Sequence, residues 1–459
     1  MNQQSYNLIS IMRDEPVAAS LMKLGIPTMI GMLISALYNA IDAYFVSGLG
    51  MSQMGAVSVV FPIVQIVIGL GMMFGAGASS YISRLLGKGD NAEANRTAST
   101  ALFASIFVGA VIIAGIMVFL DPVLMSLGAT DTILPYARAY AQIYVTGSII
   151  NVFTVTMNNL LTAQGATRFT MISMLTGSII NIILDPIMIY ALDWGIEGAA
   201  IATVISLGVN MALYIGYIAT KQGVLRLSLR NIRLSPQLLG EILKIGIPVL
   251  LFQLLASASM GLTNSAAKPY GDYAVAAMGA VIRIMTVGTY IVFGFLKGFQ
   301  PFAGYNYGAK QFDRLKKAIR LCLIWSTTFG IIAAIVLFAF AEPIVSIFGT
   351  DAEMVNLAGK ALRLNAVLFI TFGFQMVYAS LYLSIGKSLV GGLLSLSRQG
   401  IFFLPLIYVL PRLFQLSGVI WVQPAADLLT TAVTFIFAIK INRALTVETP
   451  EYPQGGELT

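Results

Sequence analysis

Lys23-Leu24-Gly25-Ile26-Pro27 returns further along the chain as Lys244-Ile245-Gly246-Ile247-Pro248. The same offset in numbering carries Gly87 to Gly308, Pro122 to Pro343, Gly128 to Gly349 and Gly165 to Gly386. A spacing held constant over half a chain marks an internal duplication. The copies are predicted to be two lobes, residues 1–220 and 241–459, the second ending in a short polar tail. A polar, basic linker over 221–240 joins them. The repeated glycines and prolines read as helix ends, kinks and tight turns. Pro27 and Pro248 fall about one turn inside their segments, where a bend would let a helix change shape.

The chain is too apolar for a soluble domain. Of its 459 residues 58% are hydrophobic and 10% charged, with a mean hydropathy of +0.85; soluble domains are about a quarter charged. A membrane-crossing helix takes about 20 mostly apolar residues. Qualifying segments lie near 20–46, 53–82, 97–120, 136–163, 169–190 and 196–219, then near 243–267, 274–304, 319–340, 357–385, 389–410 and 417–439. Strand-period alternation is missing from them, which favours helices over an outer-membrane barrel. The fold class read from the chain is an all-α polytopic membrane protein, with twelve transmembrane helices in two pseudo-symmetric six-helix lobes. An even number of spans per copy gives both lobes the same orientation about an axis along the membrane normal.

The net charge of +7 follows topology and gives no reason to expect nucleic acid as a partner. With both termini cytoplasmic, 19 of the 27 Lys and Arg fall inside. Five fall outside: Arg138, Lys268, Lys360, Arg363 and Arg412. This positive-inside bias predicts a multi-pass protein of a bacterial or archaeal plasma membrane, with the lipid bilayer as its surroundings. The polar opening, residues 1–20, carries both signs of charge and does not fit a cleaved signal peptide. One cysteine, Cys322, excludes an internal disulfide, and the lack of histidine excludes His-based metal sites and proton relays. With no GxxxxGK loop, energy from bound ATP is not expected, and neither is any other cofactor.

Two lone carboxylates, Asp42 and Asp185, stand inside predicted spans, and a third, Asp427, in a later one. A charge at the centre of a membrane helix costs roughly 2.5 to 3.5 kcal/mol on insertion scales, so such residues mark paths for ions, protons or charged ligands. Asp42 lies 19 residues after Lys23 and Asp185 lies 17 after Arg168, which at 1.5 Å per residue puts both about 25 to 29 Å from the inner interface. Helical spacing gives each an amide neighbour, Asn39 three residues before Asp42 and Asn181 four before Asp185. Neither acid recurs at the matching place in the second copy, where Thr263 and Leu406 stand, so the acidic site is assigned to the first lobe. Low dielectric and mutual repulsion oppose two bare negative charges in one site. Such a pair would take up a proton, or, with Asn and Thr oxygens, hold a sodium ion.

Asp427 on the last span is read as a structural ion pair with Arg398 on the preceding one; Arg283 and Lys297, both on the eighth span, are alternative partners. The candidate substrate lining is Asn158, Gln164, Gln253, Met260, Met285 and Lys297, Lys297 being able to neutralise charge in the cavity. Phe252, Met278, Phe293, Phe295 and Phe299 share the seventh and eighth spans. Methionine and aromatic surfaces repack around varied ligands and bind cations through ring faces, although helix packing accounts for most of them.

Four stretches together resemble the multidrug and toxic compound extrusion family. They are Tyr38-Asn39-Ala40-Ile41-Asp42, Asn159-Leu160-Leu161-Thr162-Ala163-Gln164-Gly165, Asn181-Ile182-Ile183-Leu184-Asp185-Pro186 and Gly198-Ala199-Ala200-Ile201-Ala202-Thr203. The resemblance spans nearly the whole chain. It implies a V-shaped central cavity between the lobes and export of cationic drugs or dyes against inward proton or sodium flow. In the DinF-like branch, residues matching Asp42, Asp185, Asn181 and Thr203 form the first-lobe site, and all four are kept here. The NorM-like branch carries a second-lobe glutamate where Gln253 stands, so a second-lobe sodium site is not expected.

The function expected is a multidrug efflux antiporter, not an enzyme, exchanging organic cations for protons or sodium by alternating access and working as a monomer. The alternative is a lipid-linked oligosaccharide flippase of the same architecture, whose cavity should be lined by Arg and Lys to hold pyrophosphate. A non-transporting receptor or assembly factor fits the duplicated layout poorly.

Overall fold

A computed structural model describes residues 3–349 and 351–447; the expected polar tail lies outside them. Among the described residues twelve helices are long enough to cross a membrane. The first six are α1 (Val17–Ser47), α2 (Met51–Lys88), α3 (Asn91–Val118), α4 (Leu134–Ala163), α5 (Thr167–Ala191) and α6 (Gly195–Ala219). The second six begin with α7 (Pro236–Ala267), α8 (Asp272–Gly308), α9 (Phe312–Ala339) and α10 (Ala352–Ser384). One continuous run, Ser388–Leu445, supplies the last two, dividing at Gln415, whose φ of 52° breaks the helix into α11 (388–414) and α12 (416–445). A short helix, Gln3–Arg13, precedes them. The described residues contain no strand.

By composition ten spans are recognised, the run Ser388–Leu445 counting as one, and α4 is not among them. It buries Asn151, Thr154, Thr156, Asn158, Asn159 and Thr162 inside the first lobe. A polar face on a helix enclosed by its neighbours is where a membrane protein keeps functional groups.

The duplication is visible in the backbone. The offset of the sequence repeat also separates the starts of α2 and α8, of α3 and α9, of α5 and the Ser388 run, and of the short helices Leu120–Ser126 and Ala341–Ser346. Left-handed turns repeat as well: Gly50 with Gly271, Gly89 with Lys310, and Gly165 with Gly386. Positive φ is easiest for glycine, which explains why each of these repeated turn positions keeps it in at least one copy.

The lobes meet along α1, α2, α7 and α8, at crossings too close for side chains. A Cβ on Gly298 would lie 2.5 Å from the Cα of Gly25, and one on Gly77 would lie 2.2 Å from the carbonyl oxygen of Ile242. A Cβ on Gly246 would in turn collide with the Met73 carbonyl. These are the same crossing twice, since Gly25 and Gly246, like Gly77 and Gly298, are repeat partners. A third, Gly87 against Tyr305 and Gly308 against Arg84, closes the seam. All fall in the halves of the helices nearest the linker. In the far halves the same four helices leave Leu37, Phe61, Met260 and Val287 exposed.

The linker is tied to the first lobe. Gln164 Oε1 accepts from the amides of Val224 (2.6 Å) and Leu225 (3.0 Å), and Asn95, Ser99 and Thr100 of α3 bind the amides of Arg226, Ser228 and Arg233. It ends at Ser235, whose hydroxyl caps α7 by accepting from Leu238 N at 3.2 Å, with Pro236 in the first turn. The second lobe's first helix therefore starts inside the stretch expected to be linker.

Candidate ion site and transport cavity

Asp185 is fully buried on α5. Pro186 follows it, and a proline inside a helix removes one backbone donor. The helix widens at once into a π-helical turn, Ile187–Ala191, a distortion that recurs at functional sites. Gly198 of α6 packs against that turn, with no room for a Cβ beside the Met188 carbonyl at 2.6 Å.

Asn181, one turn earlier and 1% exposed, donates from Nδ2 to Asp185 Oδ1 at 3.1 Å. Asp42, in the far half of α1, lies close enough to Asp185 for the two acids to interact electrostatically. Asp42 Oδ1 and Asp185 Oδ2 are buried without a hydrogen-bond partner among the described residues. The pair is thus built with spare acceptor capacity for a proton or a small cation.

The remaining expected members stand differently. Thr203 is 8% exposed and gives its hydroxyl to the Ala199 carbonyl at 3.1 Å. Asn39 is exposed, and its amide donates to the Ser35 carbonyl at 2.7 Å rather than to Asp42. Three tyrosines that the sequence reading passed over surround the acids: Tyr38, Tyr140 and Tyr144 lie within electrostatic range of Asp42. Tyr140 and Tyr144 stack with centroids 5.9 Å apart, and Asn151 donates to the Tyr144 hydroxyl at 3.1 Å. Their signal was helical spacing: Tyr38 precedes Asp42 by four, and 140, 144 and 151 share one face of α4.

Of the expected substrate lining, Gln253 on α7 and Met285 on α8 are half-buried and Met260 is exposed. Lys297 of α8 reaches across the seam and donates to Asn158 Oδ1 at 2.6 Å, while Asn158 Nδ2 donates to the Tyr214 hydroxyl at 3.1 Å. Gln164 is a correction: it is 1% exposed at the linker end, its oxygen committed to linker amides instead of facing the cavity.

In the second lobe Arg398 Nε meets Asp427 Oδ1 at 2.7 Å, both side chains buried. Gln423 donates to the same oxygen at 3.0 Å, and the guanidinium lies over the Phe372 ring at 4.7 Å. Arg398 sits in the second π-helical turn, Ser397–Ile401. Of the three basic candidates it is the one beside Asp427; Arg283 is exposed on α8.

The MatE family model matches the chain twice, over residues 27–187 and 248–409. The chain belongs to the MatE family. The two matches begin at Pro27 and Pro248, the prolines of the repeated motif. Among relatives of this MatE chain, the multidrug export protein MepA of Staphylococcus aureus (strain MSSA476) is 29% identical over 441 residues, covering 96% of this chain and 97% of that protein. MepA of Staphylococcus saprophyticus is 27% identical over 440 residues, with the same coverage. Among solved structures, the outward-facing conformation of a multidrug resistance MATE family transporter of the MOP superfamily superposes with a TM-score of 0.90 at 27% identity, covering 97% of this chain and 99% of that one. A MOP superfamily transporter from Pyrococcus furiosus, described as having a binding pocket of reversed polarity that suggests a different function, matches with a TM-score of 0.89 at 28% identity, over 95% and 98%.

Proposed function

We propose that this chain is a multidrug efflux antiporter that expels organic cations in exchange for protons or sodium. One observation carries the reading: two acids close enough to interact in the far half of one lobe, each with a buried oxygen that has no partner among the described residues. Negative charge held there attracts a cationic drug and a coupling cation alike, so the two compete for it. A ligand shifts a conformational equilibrium only through differential affinity for its states. Drug and coupling ion would do so by exchanging at, or near, the acid pair.

The glycine seam supports alternating access. The lobes touch backbone to backbone at the linker end, and rocking about such a seam would open and close the far end. The basic linker and loops support a cytoplasmic linker end, in a bacterial or archaeal cell. Both lobes come from one chain, which supports function as a monomer. The flippase reading is weakened because Arg398 is spent on Asp427. A likeness in fold also extends to a transporter of reversed pocket polarity, so here the acids, and not the architecture, decide.

The test is ethidium efflux from proteoliposomes under an imposed pH gradient, a sodium gradient, or neither. Efflux driven by one cation gradient supports antiport and names the ion. Efflux insensitive to both, or no ethidium movement, refutes it.

A further inference from the structure

Four of the buried side-chain oxygens without a partner among the described residues lie in the first lobe around one line: Asp42 Oδ1, Asp185 Oδ2, Asn181 Oδ1 and Asn210 Oδ1. On α5 the residues 173, 177, 181 and 185 follow one another at intervals of four, so they form a single stripe. Ser173, Asn181 and Asp185 in that stripe are each no more than 1% exposed. Its gap is Gly177, and Asn210 of α6 fills it: a Cβ on Gly177 would lie 2.4 Å from Asn210 Nδ2.

At its inner end the stripe reaches the lobe seam. Ser173 adjoins the Tyr214 hydroxyl, which accepts from Asn158, which accepts from Lys297 of the other lobe. Buried polar atoms almost always find a partner, and in polar cavities that partner is ordered water with two to four hydrogen bonds. Gly298, next to Lys297, abuts Gly25, and Asp42 is 17 residues further along α1, about 26 Å at 1.5 Å per residue. A cavity opening from the linker side would reach Lys297 and Asn158 well before it reached the acids.

From this alignment we infer that the first lobe holds a file of buried water along α5, through which a proton released by the acid pair travels to the seam at Asn158. Each water accepts one proton and passes another on, so a proton leaves Asp185, one emerges at the seam, and the file is unchanged. Such a file carries protons and not sodium. Lys297 belongs to the other lobe, so its ammonium withdraws from the mouth of the file when the lobes part at the linker end.

The inference rests on the antiport reading but fails separately from it. Valine and threonine have nearly the same shape, and only threonine has a hydroxyl. In proteoliposomes under a pH gradient, Ser173→Val is expected to slow ethidium efflux about tenfold relative to Ser173→Thr, with a larger rate difference between H2O and D2O. Equal rates and equal isotope effects in the two variants would overturn the file. So would efflux driven by sodium and not by pH, which would leave antiport itself standing. If both variants misfold, a crystal structure of the wild type at a resolution that shows ordered water decides. Water bonded to Ser173, Asn210 and Asn181 supports the file, and a dry stripe refutes it.

Discussion

Gly298 crosses Gly25 with 2.5 Å between its would-be Cβ and the facing Cα, so the two lobes touch through bare backbone at the linker end. The repeat supplies the same contact again at Gly77 and Gly246. Packing this close leaves no slack for a methyl group, because interiors are filled to crystal density. Gly298→Val is therefore expected to force the lobes apart at that end. Spin labels placed across it should report longer distances in the variant. Unchanged distances would show that the seam is not set by these glycines.

The Arg398 and Asp427 pair tests whether the second lobe's charges are structural. Removing one partner of a buried pair costs about 3 to 5 kcal/mol, whereas replacing both by apolar residues is often neutral. Arg398→Met alone should lower the thermal unfolding temperature in detergent sharply, and Arg398→Met with Asp427→Leu should recover most of the loss. A single variant as stable as the parent would contradict the assignment.

Pro27 leaves the Lys23 carbonyl without its helical donor, and Thr167 of α5 supplies one from its hydroxyl at 3.2 Å. Losing that bond in Thr167→Val should cost about 1 kcal/mol. In a Pro27→Ala background, where the helix restores its own amide donor, the cost should shrink toward zero. A double-mutant cycle on unfolding free energy measures this; additive losses would contradict it.

Gln164 fixes the linker through two backbone amides. Gln164→Leu should free the segment around Arg226 and Arg230 and raise its cleavage by trypsin several-fold. Cleavage at the parental rate would place the linker's order in the α3 contacts instead.

The duplicated architecture was legible because glycine and proline leave a signature wherever backbone geometry is fixed. The repeat partners Gly165 and Gly386 reappear as two left-handed turns at φ values of 88° and 83°. The acids were legible for the opposite reason, since each stands alone in an apolar run. What stayed hidden depends on which face of a helix points inward. Asn39 and Asn181 have a similar helical relationship to an acid, yet Asn181 bonds Asp185 while Asn39 turns to its own helix. Gln164 looked like a cavity residue because it ends a polar helix, and the linker's path past it is set by α3, far away in sequence. The tyrosines of α4 were overlooked because that helix reads as merely less apolar.

The central claim is that drug and coupling ion displace one another at Asp42 and Asp185, and the most direct measurement is proton exchange on drug binding. Purified protein titrated with ethidium in sodium-free, weakly buffered solution should release protons as drug binds, and Asp185→Asn should bind with little or no release. Proton release from Asp185→Asn equal to that of the parent would contradict the account.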